Sequence, residues 1–151
     1  MKILLAVDGS EYSAEAVKEV AARPWPPQTT VRVLSAVVPI TPPASELWYD
    51  AGGSLERTQQ EMQKHAEQIT AGIAERLRTS GLTAETAVRD GDPRSVIVDE
   101  AKSWSADLIV VGSHGYTGLK RWLLGSVAQS VVSHAPCSVE VVRKKQEVEE
   151  T

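Results

Sequence analysis

The sequence predicts an α/β fold with one five-stranded parallel sheet, strand order 3-2-1-4-5 and helices on both faces. Three observations support this prediction. Short apolar runs alternate with longer segments of helical periodicity, in the order β-α-β-α-β-α-β-α-β. Runs that are apolar throughout are typical of parallel strands buried on both faces. The chain has 151 residues, a normal size for a single domain.

The first strand is predicted at residues 3–7 (ILLAV), which precede the turn residues Asp8, Gly9 and Ser10. Ser10 is a suitable N-cap for a helix over residues 13–22. The apolar spacing of that helix predicts an inner face made of Ala14, Val17, Val20 and Ala21. Prolines at 24, 26 and 27 end the helix, and the second buried strand follows at residues 31–38.

A long connection and a long helix follow the second strand. Residues 41–54 (TPPASELWYDAGGS) predict a loop, and loops of that length are usually functional or mobile. Residues 55–80 predict an amphipathic helix, and Gly81 stands where a C-terminal cap belongs. The buried stripe of this helix is predicted from residues at spacings of three and four: Met62, Ala66, Ile69, Ile73 and Leu77.

The second half of the chain completes the sheet. Residues 82–88 alternate partly in polarity, which is typical of an edge strand. Asp92 followed by Pro93 is a common helix start, and the helix is predicted at residues 94–104. A buried strand at 106–111, a helix at 126–134 and a last strand at 138–142 follow.

Composition and charge exclude several classes of protein. The net charge of −4 gives no basic surface of the kind that nucleic-acid binding needs. A single cysteine, Cys137, excludes a disulfide framework and indicates a reducing compartment. No apolar run approaches the roughly 20 residues of a membrane span, and no signal peptide is recognisable. We therefore expect a cytoplasmic domain over residues 1–143 with a charged tail over 144–151, binding neither nucleic acid nor membrane.

Two segments are expected to meet at one edge of the sheet. Doubly wound sheets bind ligands beyond the carboxyl ends of the strands, where the strand order reverses. In the predicted order the first and fourth strands are neighbours. Asp8 would then lie beside the glycine-rich segment 110–127, VVGSHGYTGLKRWLLGSV.

That segment contains a frame of the form G-x2-G-x9-G-S, made by Gly112, Gly115, Gly125 and Ser126. Glycine at 112 and 115 would let the backbone turn sharply and let a ligand approach its amides. Gly125 and Ser126 open a helix whose first amides lack intrahelical partners and therefore bind anions such as phosphate. Ser126 would either cap this helix or donate its hydroxyl to the anion, and Lys120 and Arg121 would add positive charge if they point inward.

Motifs of several other sites are absent from the sequence. It contains no G-x4-G-K-[ST] phosphate loop, no G-x-G-x-x-G after the first strand, and no G-x-S-x-G elbow. No His/Cys cluster has metal-ligand spacing. His114 has no acidic partner visible in the sequence, so a place in the wall of a ligand site is favoured over catalysis.

The glycine frame, preceded by ADLIVVGSHG, together with the opening ILLAVDGS and the closing APCSVEVV, resembles the universal stress protein family. The resemblance covers essentially the whole chain. It implies a Rossmann-like fold of the adenine nucleotide alpha hydrolase type and a homodimer formed through the last strand, residues 138–142. In the nucleotide-binding branch of the family it also implies bound ATP, and this chain keeps every glycine of the frame.

The resemblance assigns site residues position by position. The adenosine end would meet Ala6, Val7 and Asp8, and the adenine pocket would be lined by Val38. The ribose and phosphates would lie along Gly112, Ser113, His114 and Gly115. The residues that would close around the phosphates are Gly125, Ser126 and Val127. Ala128 stands where a second hydroxyl residue sometimes follows, which would remove one phosphate contact.

Three functions remain open at this level. The first is an ATP-binding stress-response sensor or regulator, in which the loop at 41–54 would order over the ligand for an unidentified protein partner. The second is a weak ATPase or autophosphorylating enzyme in the same pocket, for which no general base is evident. The third is a nucleotide-free dimeric scaffold. The choice among ATP, ADP, AMP and cyclic nucleotides is open, as is Mg²⁺, which phosphates can hold with few protein ligands.

Overall fold

The computed structural model describes residues 1–40, 53–115 and 123–145. In chain order the elements are β1 (Lys2–Ala6), α1 (Glu11–Ala22), β2 (Thr30–Val37), α2 (Ser54–Thr79), β3 (Thr83–Asp90), α3 (Pro93–Trp104), β4 (Leu108–Gly112), α4 (Ser126–His134) and β5 (Ser138–Val142). All strand pairs are parallel, and the sheet has the order β3-β2-β1-β4-β5. The predicted fold class and strand order are confirmed.

Each face of the sheet carries two helices and its own hydrophobic core. On one face α1 and α2 pack through Val17, Val20 and Leu77 onto residues such as Ile3 and Val33. On the other face α3 and α4 pack onto the sheet through Ile97, Ala101, Ala128 and Val131. Because side chains alternate along a strand, consecutive apolar residues of one run serve both cores, which explains why the central strands have no polar face.

The predicted helix signals have the expected local contacts. The Ser10 side chain caps α1 by accepting a hydrogen bond from the Ser13 amide. Asp92 caps α3 by accepting from the Arg94 amide, with Pro93 as the first helical residue. After α2, Gly81 has a left-handed φ of +91°, a conformation that glycine adopts without the steric cost of a Cβ.

The predicted burial of two residues, one on α1 and one on α2, is wrong. Ala14 is exposed, because the buried stripe of α1 runs instead through Ser13, Ala16, Val17 and Val20. Met62 is 37% exposed, because burial along α2 begins only at Ala66. The helical period was therefore predicted correctly. The predicted buried face of α1 was rotated about the helix axis, and the predicted buried stripe of α2 began too early.

An ion cluster joins α3 to the edge of the sheet. The Glu100 side chain, only 8% exposed, accepts hydrogen bonds from Arg32 of β2 at 2.8 Å and from Arg89 of β3 at 3.1 and 3.2 Å. The Arg32 guanidinium also lies 4.4 Å from the ring centre of Trp104. Both carboxylate oxygens of Glu100 thus have cationic partners, as a buried carboxylate requires.

Parts of two predicted segments lie outside the described residues. Most of the predicted loop 41–54 is among them, and only Gly53 and Ser54, at the start of α2, are described. Of the predicted tail 144–151, the described residue Lys144 pairs with Glu11 at 2.8 Å. Among the described residues, none of the helices combines the length and hydrophobicity that a membrane crossing needs.

Candidate functional site

A cavity of about 520 Å³ opens at the carboxyl ends of β1, β2 and β4. This volume lies within the usual range for small-molecule sites. The starts of α3 and α4 complete its walls. It therefore occupies the position at which an open α/β sheet binds its ligand, where the strand order reverses between β1 and β4.

The structure brings ten of the eleven predicted site residues together around this cavity: Ala6, Val7, Asp8, Val38, Gly112, His114, Gly115, Gly125, Ser126 and Val127. The exception is Ser113. It is buried, at 2% exposure, and does not line the cavity. The predicted place of Ser113 along the ribose and phosphates stays a prediction.

The cavity has two chemically different ends. The end beside β2 and α3 is aliphatic, with walls that include Leu34, Ala36, Pro93 and Ile97. The end beside β4 and α4 contains His114, the three glycines of the frame and the first helical residue of α4, together with apolar residues such as Val127. Because β1 lies between β2 and β4, Asp8 at the end of β1 stands between the aliphatic and the polar end.

Asp8 is held by its own turn and faces the glycine frame. Its Oδ1 accepts a hydrogen bond from the Ser10 amide at 2.8 Å. Its backbone amide donates to the Ser13 hydroxyl at 3.4 Å. The second carboxylate oxygen, Oδ2, lies 2.9 Å from the point that a Cβ on Gly115 would occupy. One oxygen therefore fixes the turn, and the other lies against the glycine frame.

Close contacts with backbone atoms account for glycine at two positions of the frame. A Cβ on Gly112 would lie 2.7 Å from the carbonyl carbon of Tyr12, and one on Gly125 would lie 3.1 Å from the Cα of His114. None of the three frame glycines has a left-handed φ. Gly112 and Gly125 let α1, β4 and the start of α4 approach each other closely. The approach of a ligand to the amides at 112 and 115 stays a prediction.

The first turn of α4 faces the cavity without a side-chain cap. Gly125 is the N-cap residue and makes no side-chain hydrogen bond, and Ser126 is the first helical residue. The capping role considered for Ser126 is therefore absent, and its exposed hydroxyl lies at the cavity wall. Backbone amides at such a helix start carry the positive end of the dipole and favour an anion.

His114 makes contacts on both sides of its ring. The Ser113 hydroxyl lies 3.0 Å from Nδ1, and Nε2 is hydrogen-bonded to the carbonyl of Leu123. The ring centre lies 5.0 Å from that of Tyr12, with the ring planes tilted by 51°. Both nitrogens of this imidazole are therefore occupied by protein groups.

Some candidate groups of the segment lie outside the described residues, namely Gly118, Lys120, Arg121 and Trp122. Of the two leucines before Gly125, Leu124 contacts the core, whereas Leu123 is 63% exposed. Within the described ranges, no group of three or more His, Cys, Asp or Glu side chains could hold a metal ion.

Comparison with known proteins identifies the family. A model of the universal stress protein family matches residues 1–143. The chain belongs to the universal stress protein family. The universal stress protein YxiE of Bacillus subtilis is 32% identical over 145 residues, covering 94% of this chain and 98% of that protein.

Solved structures agree with this membership. The hypothetical protein MJ0577 is 28% identical, with a TM-score of 0.82 and 97% of each chain covered. The universal stress protein UspA from Lactobacillus plantarum is 28% identical, with a TM-score of 0.78 and coverage of 95% of this chain and 97% of that one. Both share the fold over nearly their whole length.

Two more distant universal stress proteins have been solved with nucleotides. The Arabidopsis thaliana protein At3g01520, with AMP bound, is 19% identical, has a TM-score of 0.65 and covers 96% of this chain and 92% of its own. A universal stress protein in complex with cAMP is 23% identical, has a TM-score of 0.62 and covers 95% of this chain and 96% of its own. At these identities the similarity to this universal stress protein establishes the fold alone.

Sequence reasoning missed the aliphatic wall of the cavity. Leu34, Ala36, Pro93, Ile97 and Leu124 line it in this universal stress protein, although none was a predicted site residue. Apolar residues at strand ends and helix starts have the same sequence signature whether they face a core or a ligand. The one available signal was their position near the carboxyl ends of the strands.

Proposed function

We propose that this universal stress protein binds an adenine nucleotide, with ATP as the first candidate, and acts as a homodimeric stress-response regulator in the cytoplasm. The observation that carries the proposal is a single cavity that joins an aliphatic end to the uncapped start of α4. A nucleotide has the same two-ended chemistry, with a flat, largely apolar base at one end and phosphates at the other.

The order of strands supports one orientation of the ligand. The base would occupy the aliphatic end, between Leu34 and Ile97, where transfer from water is favourable. The phosphates would occupy the opposite end, at Gly125 and Ser126, where helix amides attract negative charge. The ribose would then lie near Asp8, whose carboxylate can accept hydrogen bonds from hydroxyl groups.

The known complexes support the same ligand class. Two structurally similar universal stress proteins hold AMP and cAMP respectively, both of which are adenine nucleotides. A magnesium ion would be held mainly by the phosphates, since the described residues offer no three-ligand cluster and Asp8 is the carboxylate that lines the cavity. ATP with Mg²⁺ is therefore the form to test first.

Two measurements on purified protein test whether it binds an adenine nucleotide. Purified protein is analysed by mass spectrometry for co-purified adenine nucleotide, and its melting temperature is followed against ATP. At a hundredfold excess over the dissociation constant the ligand should stabilise the protein by about 2.7 kcal/mol. Absence of both nucleotide and thermal shift would instead support a nucleotide-free scaffold.

A matched pair of variants makes the test specific. Ser126→Asp places a negative charge at the first helical position of α4, which suits the helix dipole but repels phosphate. Ser54→Asp makes the same change at the first position of α2, which does not line the cavity. The ATP-induced shift should be lost in the first variant and kept in the second. Equal responses of the two variants to ATP would contradict the placement of the phosphates.

A weak ATPase or autophosphorylating enzyme is the second candidate. Both nitrogens of His114 are engaged by protein groups, which disfavours it as a general base. Release of ADP is the deciding measurement, with Gly115→Val as the control because a side chain there would collide with Asp8 and fill the cavity wall. ADP release that is unaffected by this substitution would come from a contaminant and would eliminate the enzyme.

The two edges of the sheet support dimerisation through β5 rather than β3. The Gly91 amide donates to the Val37 carbonyl of β2. The backbone N–H and C=O groups of odd-numbered β3 residues therefore point towards β2, and those of even-numbered residues point to the outer edge of the sheet. The outward carbonyls of Ala84 and Val88 accept hydrogen bonds from arginine side chains, with Arg78 donating to Ala84 at 2.8 and 3.2 Å. Capped carbonyls make β3 a poor pairing edge.

The same parity identifies the groups available on β5. The Val142 carbonyl accepts a hydrogen bond from the Ser113 amide, just after β4. The backbone N–H and C=O groups of even-numbered β5 residues therefore point towards β4. The backbone groups of Val139 and Val141 therefore point to the outer edge. Antiparallel pairing of two β5 strands across a two-fold axis would use these groups in both copies.

The dimer is tested with a substitution that removes one outward amide. Val141→Pro deletes a donor that β4 does not use, and proline is tolerated on edge strands. Val141→Thr keeps the amide and the branched shape as the control. Sedimentation should give a monomer for the first variant and a dimer for the second. A wild-type monomer, or a Val141→Pro dimer, would contradict pairing through β5.

A further inference from the structure

We infer that His114 is a positioning residue that holds the start of α4 against the end of β4 and so places the anion-binding amides. The inference builds on the proposed nucleotide site and goes beyond it, because it assigns the imidazole a role in the protein rather than on the ligand. His114 closely follows β4, and Leu123 precedes α4 by three residues. The bond from Nε2 to the Leu123 carbonyl connects the two.

The hydrogen bonds of His114 fix its tautomer. A carbonyl oxygen can only accept, so Nε2 must carry the proton that bonds to Leu123. In the neutral ring Nδ1 is then an acceptor, and the Ser113 hydroxyl donates to it at 3.0 Å. Ser113 is almost fully buried and Tyr12 packs beside the ring, so the imidazole is held in one orientation.

The His114 bond acts together with two other contacts at the same junction. The Gly125 amide donates to the Ser113 carbonyl at 2.8 Å. The absence of a side chain on Gly125 lets its backbone lie against the Cα of His114, where a Cβ would be only 3.1 Å away. Residues 113 and 114 thus hold the chain at 123 and again at 125, immediately before the first helical amide.

The position of this junction determines how α4 meets an anion. The dipole effect falls off within the first turn of a helix, and amide–anion hydrogen bonds need donor–acceptor distances near 3 Å. A displacement of the helix start by about 1 Å would therefore cost phosphate contacts without changing any group that touches the ligand. Because both ring nitrogens are already bonded within the protein, His114 influences the ligand through α4.

Two variants test this role. His114→Ala removes the donor to Leu123, whereas His114→Gln can keep it, because the glutamine amide nitrogen can donate where Nε2 does. In nucleotide-free protein we expect the exchange rate of the Gly125 amide, measured by NMR, to rise about tenfold in the alanine variant and to return towards wild type in the glutamine variant. ATP affinity should follow the same order.

The two readouts separate this inference from the proposed function. If wild-type protein binds no nucleotide, the proposed function fails, while Gly125 exchange still tests the positioning role. Loss of ATP affinity in His114→Ala with unchanged Gly125 exchange would indicate a direct ligand contact and overturn the inference. A glutamine variant as impaired as the alanine variant would overturn it too.

A third variant decides the matter if His114→Ala does not fold. Ser113→Ala leaves the imidazole in place but removes the hydroxyl that orients it. We expect faster Gly125 exchange than in wild type, by a smaller factor than for the loss of the imidazole. Unchanged exchange in Ser113→Ala would then overturn the inference.

Discussion

Replacing Gly112 by alanine should destabilise the protein even when no ligand is present. The added Cβ would lie 2.7 Å from the Tyr12 carbonyl carbon, 2.8 Å from its oxygen and 3.0 Å from the Ser13 amide nitrogen. All three are backbone atoms in the first turn of α1, so no side-chain rotation can relieve the contact. The helix itself must move away from β4.

The size of the effect follows from the cost of overpacking. Forcing a methyl group into a packed interior typically costs about 1–3 kcal/mol. For a domain of this length each kcal/mol lowers the melting temperature by roughly 2–4 °C. The expected decrease for Gly112→Ala is therefore roughly 2–12 °C, with the upper end applying if α1 cannot shift as a unit.

Thermal unfolding of nucleotide-free protein, followed by circular dichroism, measures this decrease. Gly72→Ala is the control, because Gly72 lies on the exposed surface of α2 and a Cβ there meets no atom within 4 Å. That variant should be as stable as wild type or more stable by up to about 1 kcal/mol, since alanine favours helix. If Gly112→Ala melted like wild type and lost only ligand binding, the glycine would serve the ligand and not α1.

Three other substitutions probe the cavity, the ion cluster and the acid response. Ala36→Leu should fill the aliphatic end and weaken ATP binding at least tenfold, about 1.4 kcal/mol, whereas Ala14→Leu on the exposed face of α1 should not. Glu100→Gln should lower the free energy of unfolding in urea by about 2 kcal/mol, because buried charge-assisted bonds lose their anion. Glu140→Gln should destabilise the protein at pH 7, and the difference from wild type should shrink as the pH falls, because Arg23 holds the pKa of Glu140 below its usual range.

The sign of the last prediction follows from proton linkage. A carboxyl group with a depressed pKa in the folded state adds stability above its unfolded pKa and loses it as the pH falls through the folded pKa. A difference between wild type and Glu140→Gln that grew towards pH 3 would contradict this. Equal ATP affinity of Ala36→Leu and wild type would place the base elsewhere, and a Glu100→Gln variant as stable as wild type would show that the cluster adds no net stability.

The sequence was sufficient for the elements bounded by strong local signals. The last helix and strand, Ser126–His134 and Ser138–Val142, agree residue for residue with prediction, because Gly125 and Pro136 mark where the backbone changes course. The predicted β4 ended one residue early. Gly112 has no side chain to reveal burial, but it continues the ladder opposite Val142.

The sequence was insufficient wherever the answer depended on how elements meet. The exposure of Ala14 follows from the rotation of α1 against the sheet, which helical periodicity alone does not determine. The frame glycines could be found by their spacing in the sequence. The close contacts that they make could not be predicted, because each glycine lies against atoms from another part of the chain. The burial of Ser113, which does not line the cavity, likewise depends on packing that the sequence does not reveal.

The arginine caps on β3 also bear on how far the protein can assemble. A sheet with two receptive edges can add copies without end, and the product is a filament. With Arg78 covering the carbonyl of Ala84, the dimer proposed through β5 would have a capped β3 strand at each outer end. Such a ten-stranded pair would be self-limiting, and removing the guanidinium with Arg78→Ala would expose an edge from which growth could continue.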